Sequence, residues 1–115
     1  MSSEPLVVEF EERGVLRLRG PLTTENLPPF QNAVRREDSP TLFLDLTDVP
    51  YMDSAGLGSL VSAYTSLQKL GRRVILTGVN ERVAKLFEIT RVEQLFLMFP
   101  DLHAAIEALT SSGTA

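Results

Sequence analysis

Asp-Leu-Thr-Asp-Val-Pro-Tyr-Met-Asp-Ser-Ala-Gly-Leu-Gly, residues 45–58, is the stretch that decides the fold. The nearly continuous apolar run at 41–46 leads into it, and a helical pattern of apolar residues leaves it. A run without polar alternation is typical of a central strand that is covered on both faces. We therefore expect a strand, a polar turn and a helix start to meet here.

Upstream of this stretch, residues 6–10 and 15–19 are short runs rich in β-forming side chains, separated by a polar turn. They predict an opening β-hairpin in which Gly14 can adopt a positive φ. A helix should follow and run to about Arg36, with N-cap side chains offered within residues 22–26. Since Pro28-Pro29 fits only the first turn of a helix, we expect a late or distorted start.

Downstream, alternating helices and strands complete the pattern. A long helix should end at Gly71, a buried strand should cover 74–77, and Asn80 can cap a short helix. A last strand at 95–99 and a C-terminal helix from about residue 100 follow. Three apolar sets are predicted to face inward: Leu57, Leu60, Val61, Tyr64, Leu67 and Leu70; Val83, Leu86 and Phe87; and Leu102, Ala105, Ile106 and Leu109.

This order of elements predicts an α/β fold with a mixed, mostly parallel sheet of about five strands and helices packed against it. The length of 115 residues fits one domain, 1–115, with an ordered core of about 4–110 and a flexible tail at 111–115. In such sheets, loops at the C-terminal ends of strands collect functional groups. The 45–58 stretch occupies such a position.

Composition argues against several functional classes. Eleven basic and fifteen acidic side chains give a net charge of −4, so a nucleic-acid partner is not expected. There is no cysteine for thiol chemistry. No apolar run approaches the roughly 18 residues of a membrane span, and the N-terminal residues lack the pattern of a signal peptide. We expect a cytoplasmic protein without direct membrane insertion.

The three carboxylates of Asp45, Asp48 and Asp53 leave an enzymatic alternative open. They could form a magnesium site of a phosphatase or of a receiver-like phosphoacceptor, or they could serve only as turn caps. His103, the only histidine, falls in the C-terminal helical pattern, away from them. Met52 occupies the position where a nucleophile elbow requires glycine. We therefore expect no enzyme, no metal and no cofactor.

Ser54 is the residue on which a regulatory hypothesis rests. A serine at a helix start lies near unpaired N–H groups and the positive end of the helix dipole, so the fold would tolerate a phosphate there. The same serine could be a simple N-cap. Gly56 and Gly58 could admit a partner's backbone or only permit close packing, while Met52 and Leu57 could offer apolar contacts or belong to the core.

Met52-Asp53-Ser54-Ala55-Gly56-Leu57-Gly58 resembles the hallmark turn of the STAS family, and in particular of bacterial anti-sigma factor antagonists. The likeness extends to the hairpin, to the Gly20-x-Leu22 turn and to the helix carrying Val83 and Phe87. It implies that Ser54 is phosphorylated by a GHKL-type serine kinase that is also the anti-sigma factor. It further implies a phosphoserine phosphatase, and release of the sigma factor by the unphosphorylated form alone.

The resemblance also implies a partner-binding surface formed by Thr23 and by residues 52–58, namely Met52, Asp53, Ser54, Ala55, Gly56, Leu57 and Gly58. Two positions depart from the family pattern. Thr23 replaces an aspartate, and Arg91 replaces the glycine of a helix cap. An alternative use of such a domain is a scaffold or transport-complex subunit that serine phosphorylation does not regulate. Residues 95–99 are apolar enough to form a homodimer contact, although a buried strand is the more common use of such a run.

Overall fold

The structure is a computed structural model that describes residues 5–12 and 14–113, with side chains described as far as residue 110. Within these residues, five strands, the first two of which form the opening hairpin, and four α-helices occur in the predicted order, with short 3₁₀ turns at Thr24–Asn26 and Glu93–Leu95. The elements are β1 Val7–Glu12, β2 Val15–Arg19, α1 Leu27–Arg36, β3 Thr41–Asp48, α2 Ser54–Lys69, β4 Arg73–Thr77, α3 Glu81–Thr90, β5 Leu97–Phe99 and α4 Leu102–Gly113.

The five strands form one sheet in the order β1-β2-β3-β4-β5. β1 and β2 pair antiparallel through the hairpin, and every later pair is parallel. The predicted mixed, mostly parallel sheet is therefore confirmed, and β3 lies at its centre. The C-terminal ends of β2, β3 and β4 consequently meet at one edge of the sheet, where the 45–58 stretch leaves β3.

The main core fills the space between the sheet and the helices. Leu42, Leu44 and Leu46 on β3 are fully buried and belong to one apolar cluster with Phe30 of α1 and Phe87 of α3. Alternate residues of a strand point to the same face, so this spacing is the direct result of strand periodicity. Burying one such Leu or Phe side chain contributes about 1.5–3 kcal/mol.

The start of α1 is late, as the two prolines predict. Pro28 and Pro29 occupy the first turn of the helix, where an N–H group would have no intrahelical partner. The 3₁₀ turn Thr24–Asn26 fills the gap between β2 and this start. A compact polar turn therefore stands beside the Ser54 turn.

The predicted inward stripe of α2 holds up to Leu67 but not at Leu70, whose exposed fraction is 71%. The N–H of Arg72 donates to the carbonyl of Leu67 at 2.9 Å, and Gly71 has φ +74°. This αL arrangement ends the helix, so Leu70 lies outside the helical stripe. The prediction that Leu70 faces inward is wrong, because the helix ends at Lys69 and Leu70 is its C-cap.

The C-terminal elements differ from the sequence prediction in their details. β5 is a three-residue edge strand, and of the expected run only Phe96 is buried, while Leu95 and Leu97 are exposed. Ala105 of α4 is fully buried, but Ile106 is exposed and not inward as predicted. α4 extends to Gly113, so it includes part of the predicted tail, whose residues 114–115 lie outside the described part of the chain. Among the helices within residues 5–113, none is long and apolar enough to cross a membrane.

Candidate functional site

Ser54 is the first residue of α2 and its side chain is exposed. The preceding residue, Asp53, is the N-cap with an extended backbone, so the helix begins abruptly after the loop that leaves β3. The first N–H groups of a helix lack intrahelical partners and carry the positive end of the dipole. Ser54 thus combines accessibility with a location where the fold can accept negative charge.

The Ser54 turn is held against the loop that follows β2. Leu22 and Met52 form an isolated parallel bridge beyond the ends of their strands. The N–H of Leu22 donates to the carbonyl of Tyr51, and the N–H of Asp53 donates to the carbonyl of Leu22, both at 3.2 Å. These bonds continue the pairing of β2 and β3 into the loops, so the two loops form one surface.

The Asp53 carboxylate joins three segments of this surface. Its Oδ1 accepts the N–H of Gly56 at 2.8 Å, and its Oδ2 accepts both the N–H and the hydroxyl of Thr24, at 3.0 and 3.1 Å. Burial alone would raise the pKa of Asp53, but the hydrogen bonds from Thr24 and Gly56 outweigh it and hold that pKa below its usual value. Asp53 therefore carries a fixed negative charge directly beside Ser54.

Thr23 is turned toward its own loop. Its N–H donates to Oδ1 of Asn26 at 2.7 Å, its hydroxyl donates to the same oxygen, and the Asn26 amide donates to the carbonyl of Pro21. Thr23 therefore caps the 3₁₀ turn that follows it, and Thr24 makes the hydrogen bonds to Asp53 across the site. A Thr followed three positions later by Asn was the sequence signal for this cap, whereas the Thr24–Asp53 pair is 29 positions apart and has no local signal.

The two glycines of the turn have different roles. A Cβ added to Gly56 would lie 2.0 Å from the carbonyl oxygen of Leu22, whereas one added to Gly58 would meet nothing within 4 Å. Gly56 is buried and Gly58 is exposed. Gly56 is therefore required for the contact between α2 and the β2 loop, and only Gly58 leaves open space at the surface.

Several of the residues predicted to touch a partner belong instead to the core. Met52 and Leu57 are 8% and 5% exposed and pack within the main apolar cluster. Ala55 is half-buried. Of the two uses left open for Met52 and Leu57, core residue or apolar contact for a partner, their burial favours the core, and the contact with a partner stays a prediction. The accessible part of the 52–58 stretch is Ser54 and Gly58, with the rims of Asp53 and Ala55.

A third loop, which follows β4, joins the site, and no local sequence pattern predicts this contact. The Asn80 amide donates to the carbonyls of Val49 and Pro50 at 3.0 and 3.3 Å, while its Oδ1 caps α3 by accepting the N–H of Val83. The guanidinium of Arg82 lies over the ring of Tyr51, 4.9 Å from its centroid. The start of α3 is thereby fixed to the segment that leads to Ser54.

The three aspartates do not converge. The Arg17 Nε lies 3.2 Å from Oδ2 of the buried Asp45, whose Oδ1 accepts from Thr47. Asp48 faces Arg19 at 3.9 Å, and Asp53 is engaged with Thr24 and Gly56. Within residues 5–12 and 14–113, no three His, Asp or Glu side chains are grouped as a metal site would require. The three aspartates therefore do not form the cluster of carboxylates that a magnesium site of the phosphatase or receiver type would need.

A mixed, mostly parallel five-stranded sheet with helices packed against it, and the turn at 52–58 that starts α2, are features of a STAS domain. The family model of the STAS domain matches residues 4–105, so the chain belongs to this family. The family resemblance seen in the sequence is confirmed.

Named relatives and solved structures agree with this assignment. The anti-sigma-B factor antagonist of Listeria monocytogenes is 44% identical over 54 residues, which cover 47% of each chain. That of Staphylococcus aureus is 29% identical over 83 residues, or 70% of this chain and 77% of the relative. The chain thus spans about half of the Listeria relative that it matches. A proposed anti-sigma factor antagonist from Thermotoga maritima has the same fold, with a TM-score of 0.76, 25% identity and coverage of 90% and 92%. All three proteins carry the name of an anti-sigma factor antagonist.

Proposed function

We propose that this chain is an anti-sigma factor antagonist whose unphosphorylated Ser54 surface binds an anti-sigma factor and so frees the sigma factor. The observation that carries the proposal is an exposed serine at the first position of α2, within the STAS turn and beside an ionised Asp53. The names of the relatives from Listeria and Staphylococcus support the same class of partner.

We further propose that the anti-sigma factor is a GHKL-type kinase that phosphorylates Ser54 and that a phosphoserine phosphatase restores the binding form. A phosphate adds about 1.5 to 2 negative charges at neutral pH. Asp53 is adjacent, and Asp48 lies at the end of β3 with its side chain 46% exposed. The start of α2 accommodates the new charge. A partner that approaches must now remove water from a surface that carries both the phosphate and the carboxylate of Asp53.

The expected effect is large. Placing an uncompensated charge in a desolvated contact costs on the order of 2 to 5 kcal/mol, which is about 30- to 5000-fold in affinity. The proposed contact surface consists of accessible atoms only. They belong to Thr24 in the β2 loop, to Ser54 and Gly58 on α2, and to the exposed parts of Asp53 and Ala55. Thr23, Met52, Gly56 and Leu57 support this surface from beneath.

The test compares three proteins, wild type, Ser54→Ala and Ser54→Asp, for binding to purified candidate anti-sigma factors by titration calorimetry. Wild type and Ser54→Ala should bind alike, and Ser54→Asp should bind at least about 30-fold more weakly. Ser66→Asp is the matched control because Ser66 is exposed on the same helix, about 18 Å farther along at 1.5 Å per residue. If Ser54→Asp binds as tightly as Ser66→Asp, the charge mechanism is wrong.

Phosphorylation itself needs a separate measurement. Incubation of wild type with the binding partner and ATP should add one phosphate, located at Ser54 by mass spectrometry of peptides and absent from Ser54→Ala. A partner that binds the chain without phosphorylating it would favour the alternative use of the domain as an unregulated scaffold or transport-complex subunit.

A further inference from the structure

Arg82 is an exposed cation that the fold holds in one place. The Cζ atom of its guanidinium lies 4.9 Å from the centroid of the Tyr51 ring, and its position near the start of α3 is fixed by the Asn80 bonds to Val49 and Pro50. Among the residues that the structure describes, Arg82 forms no ion pair. A contact with an aromatic face uses none of the N–H donors in an N–H···O hydrogen bond, so the donors of Arg82 remain for a carboxylate, whose geometry the guanidinium fork matches.

Arg82 lies close enough to Ser54 to share a partner with it. Tyr51 precedes Ser54 by three residues, so their Cα atoms are at most about 11 Å apart. A protein interface of standard size covers about 800 Å² of each partner, which corresponds to a patch with a radius of roughly 16 Å. Such a patch centred on Ser54 reaches Tyr51, the residue over whose ring the Arg82 guanidinium lies.

The surrounding charges determine what chemistry would meet Arg82. The aspartates of the neighbouring loops are already engaged, Asp48 with Arg19 and Asp53 with Thr24 and Gly56. A cation covered by a partner without a counter-charge would be costly, and an acidic side chain on the partner removes that cost. Arg82 is thus a charged group of this edge that can pair with a group outside the chain.

We propose that Arg82, positioned by Tyr51, is a second recognition residue of the partner surface and pairs with a carboxylate of the anti-sigma factor. This inference rests on the proposed function and extends the binding surface from the Ser54 turn to the start of α3. It assigns the Ser54 turn the role of the switch, and it assigns the Tyr51–Arg82 pair a role in selecting a partner with an acidic group at the matching place.

The experiment uses the purified anti-sigma factor that binds wild type, with Arg82→Glu, Arg82→Lys and the control Lys69→Glu. Lys69 is exposed at the far end of α2, about 22 Å from Ser54 along the helix axis, and its reversal changes the net charge equally. Arg82→Glu should weaken binding at least about 10-fold more than Lys69→Glu. Arg82→Lys keeps the charge but loses the planar fork, so it should fall between wild type and Arg82→Glu.

Salt dependence supplies a second readout. The affinity of wild type should fall as NaCl is raised from 50 to 500 mM, and Arg82→Glu should fall less steeply because the attractive pair is gone. The inference is overturned if Arg82→Glu binds within twofold of Lys69→Glu while Ser54→Asp still releases the partner. If instead Arg82→Glu weakens binding and Ser54→Asp does not, the recognition role of Arg82 stands and the proposed charge switch fails. Thermal unfolding followed by circular dichroism must show all variants folded at the assay temperature.

Discussion

Gly56→Ala tests the contact on which the geometry of the Ser54 turn depends. The added methyl would lie 2.0 Å from the carbonyl oxygen of Leu22 and 2.7 Å from its carbonyl carbon, distances that real Cβ atoms do not adopt. The neighbouring atoms belong to the backbone, so no side-chain rotation relieves the overlap. Either α2 or the β2 loop must move by about 1 Å, and the bond from Asp53 N–H to the Leu22 carbonyl must lengthen or break.

The magnitude follows from three contributions. Overpacking of this kind costs about 1–3 kcal/mol, and loss of one hydrogen bond costs about 1 kcal/mol. The higher helix propensity of alanine offsets about 1 kcal/mol of this loss in the free energy of unfolding. The net expectation is a loss of roughly 1–3 kcal/mol in the free energy of unfolding, which corresponds to a fall in Tm of roughly 4–12 °C for a domain of this size.

Gly58→Ala is the matched control, because it makes the same substitution two residues later in the same helix. Nothing lies within 4 Å of the added methyl, so only the propensity gain remains and the protein should be stabilised by about 0.5–1 kcal/mol. Urea unfolding followed by circular dichroism at 222 nm measures both variants. Equal stability of Gly56→Ala and Gly58→Ala would show that the Leu22 contact does not constrain this turn.

Two further predictions concern the caps. The pKa of Asp53 is lowered in the fold, so its contribution to stability is complete above the unfolded pKa of about 3.9 and is lost as pH falls through the lower folded pKa. Asp53→Asn should therefore be less stable than wild type at pH 7, and the difference between the two should shrink when urea unfolding is repeated at pH 2–3. Arg91 ends α3 with φ +61°, where glycine has no steric penalty, so Arg91→Gly should raise the unfolding free energy by up to about 1 kcal/mol in the same assay. An unchanged or lower stability of Arg91→Gly would mean that the Arg91 side chain contributes more than its backbone conformation costs.

Much of the fold was predictable because its signals are local. Asn80 as a cap, the two prolines at the start of α1 and the unbroken apolar run of β3 each specify one element from a few neighbouring residues. The αL conformation of Arg91 was likewise foreseeable from the glycine expected at that position. The location of Ser54 at the start of α2 follows from the same kind of signal, since Asp53 is a strong N-cap followed by a helical stripe.

The remainder depended on contacts between distant segments. No local pattern tells a buried methionine from an exposed one, so the sequence left both uses of Met52 open, and its burial and its bridge to Leu22 place it in the core. Thr24 is an exposed residue of the 3₁₀ turn after β2, and Arg82 is an exposed residue in the first turn of α3. Only the pairing of β2, β3 and β4 brings them to the Ser54 turn. Leu70 is likewise exposed because α2 ends just before it, and the periodicity of apolar residues does not specify where a helix ends.

The bond between Thr24 and Asp53 has a consequence for how the protein folds. The two residues are 29 positions apart, and they meet only after β2 has paired with β3 across the intervening helix. Closing such a long segment is slow relative to forming a hairpin or a helix, because its entropy is lost before the contacts are gained. We therefore expect the Ser54 turn to mature late in folding, so that a partially folded chain presents no competent surface to its partner.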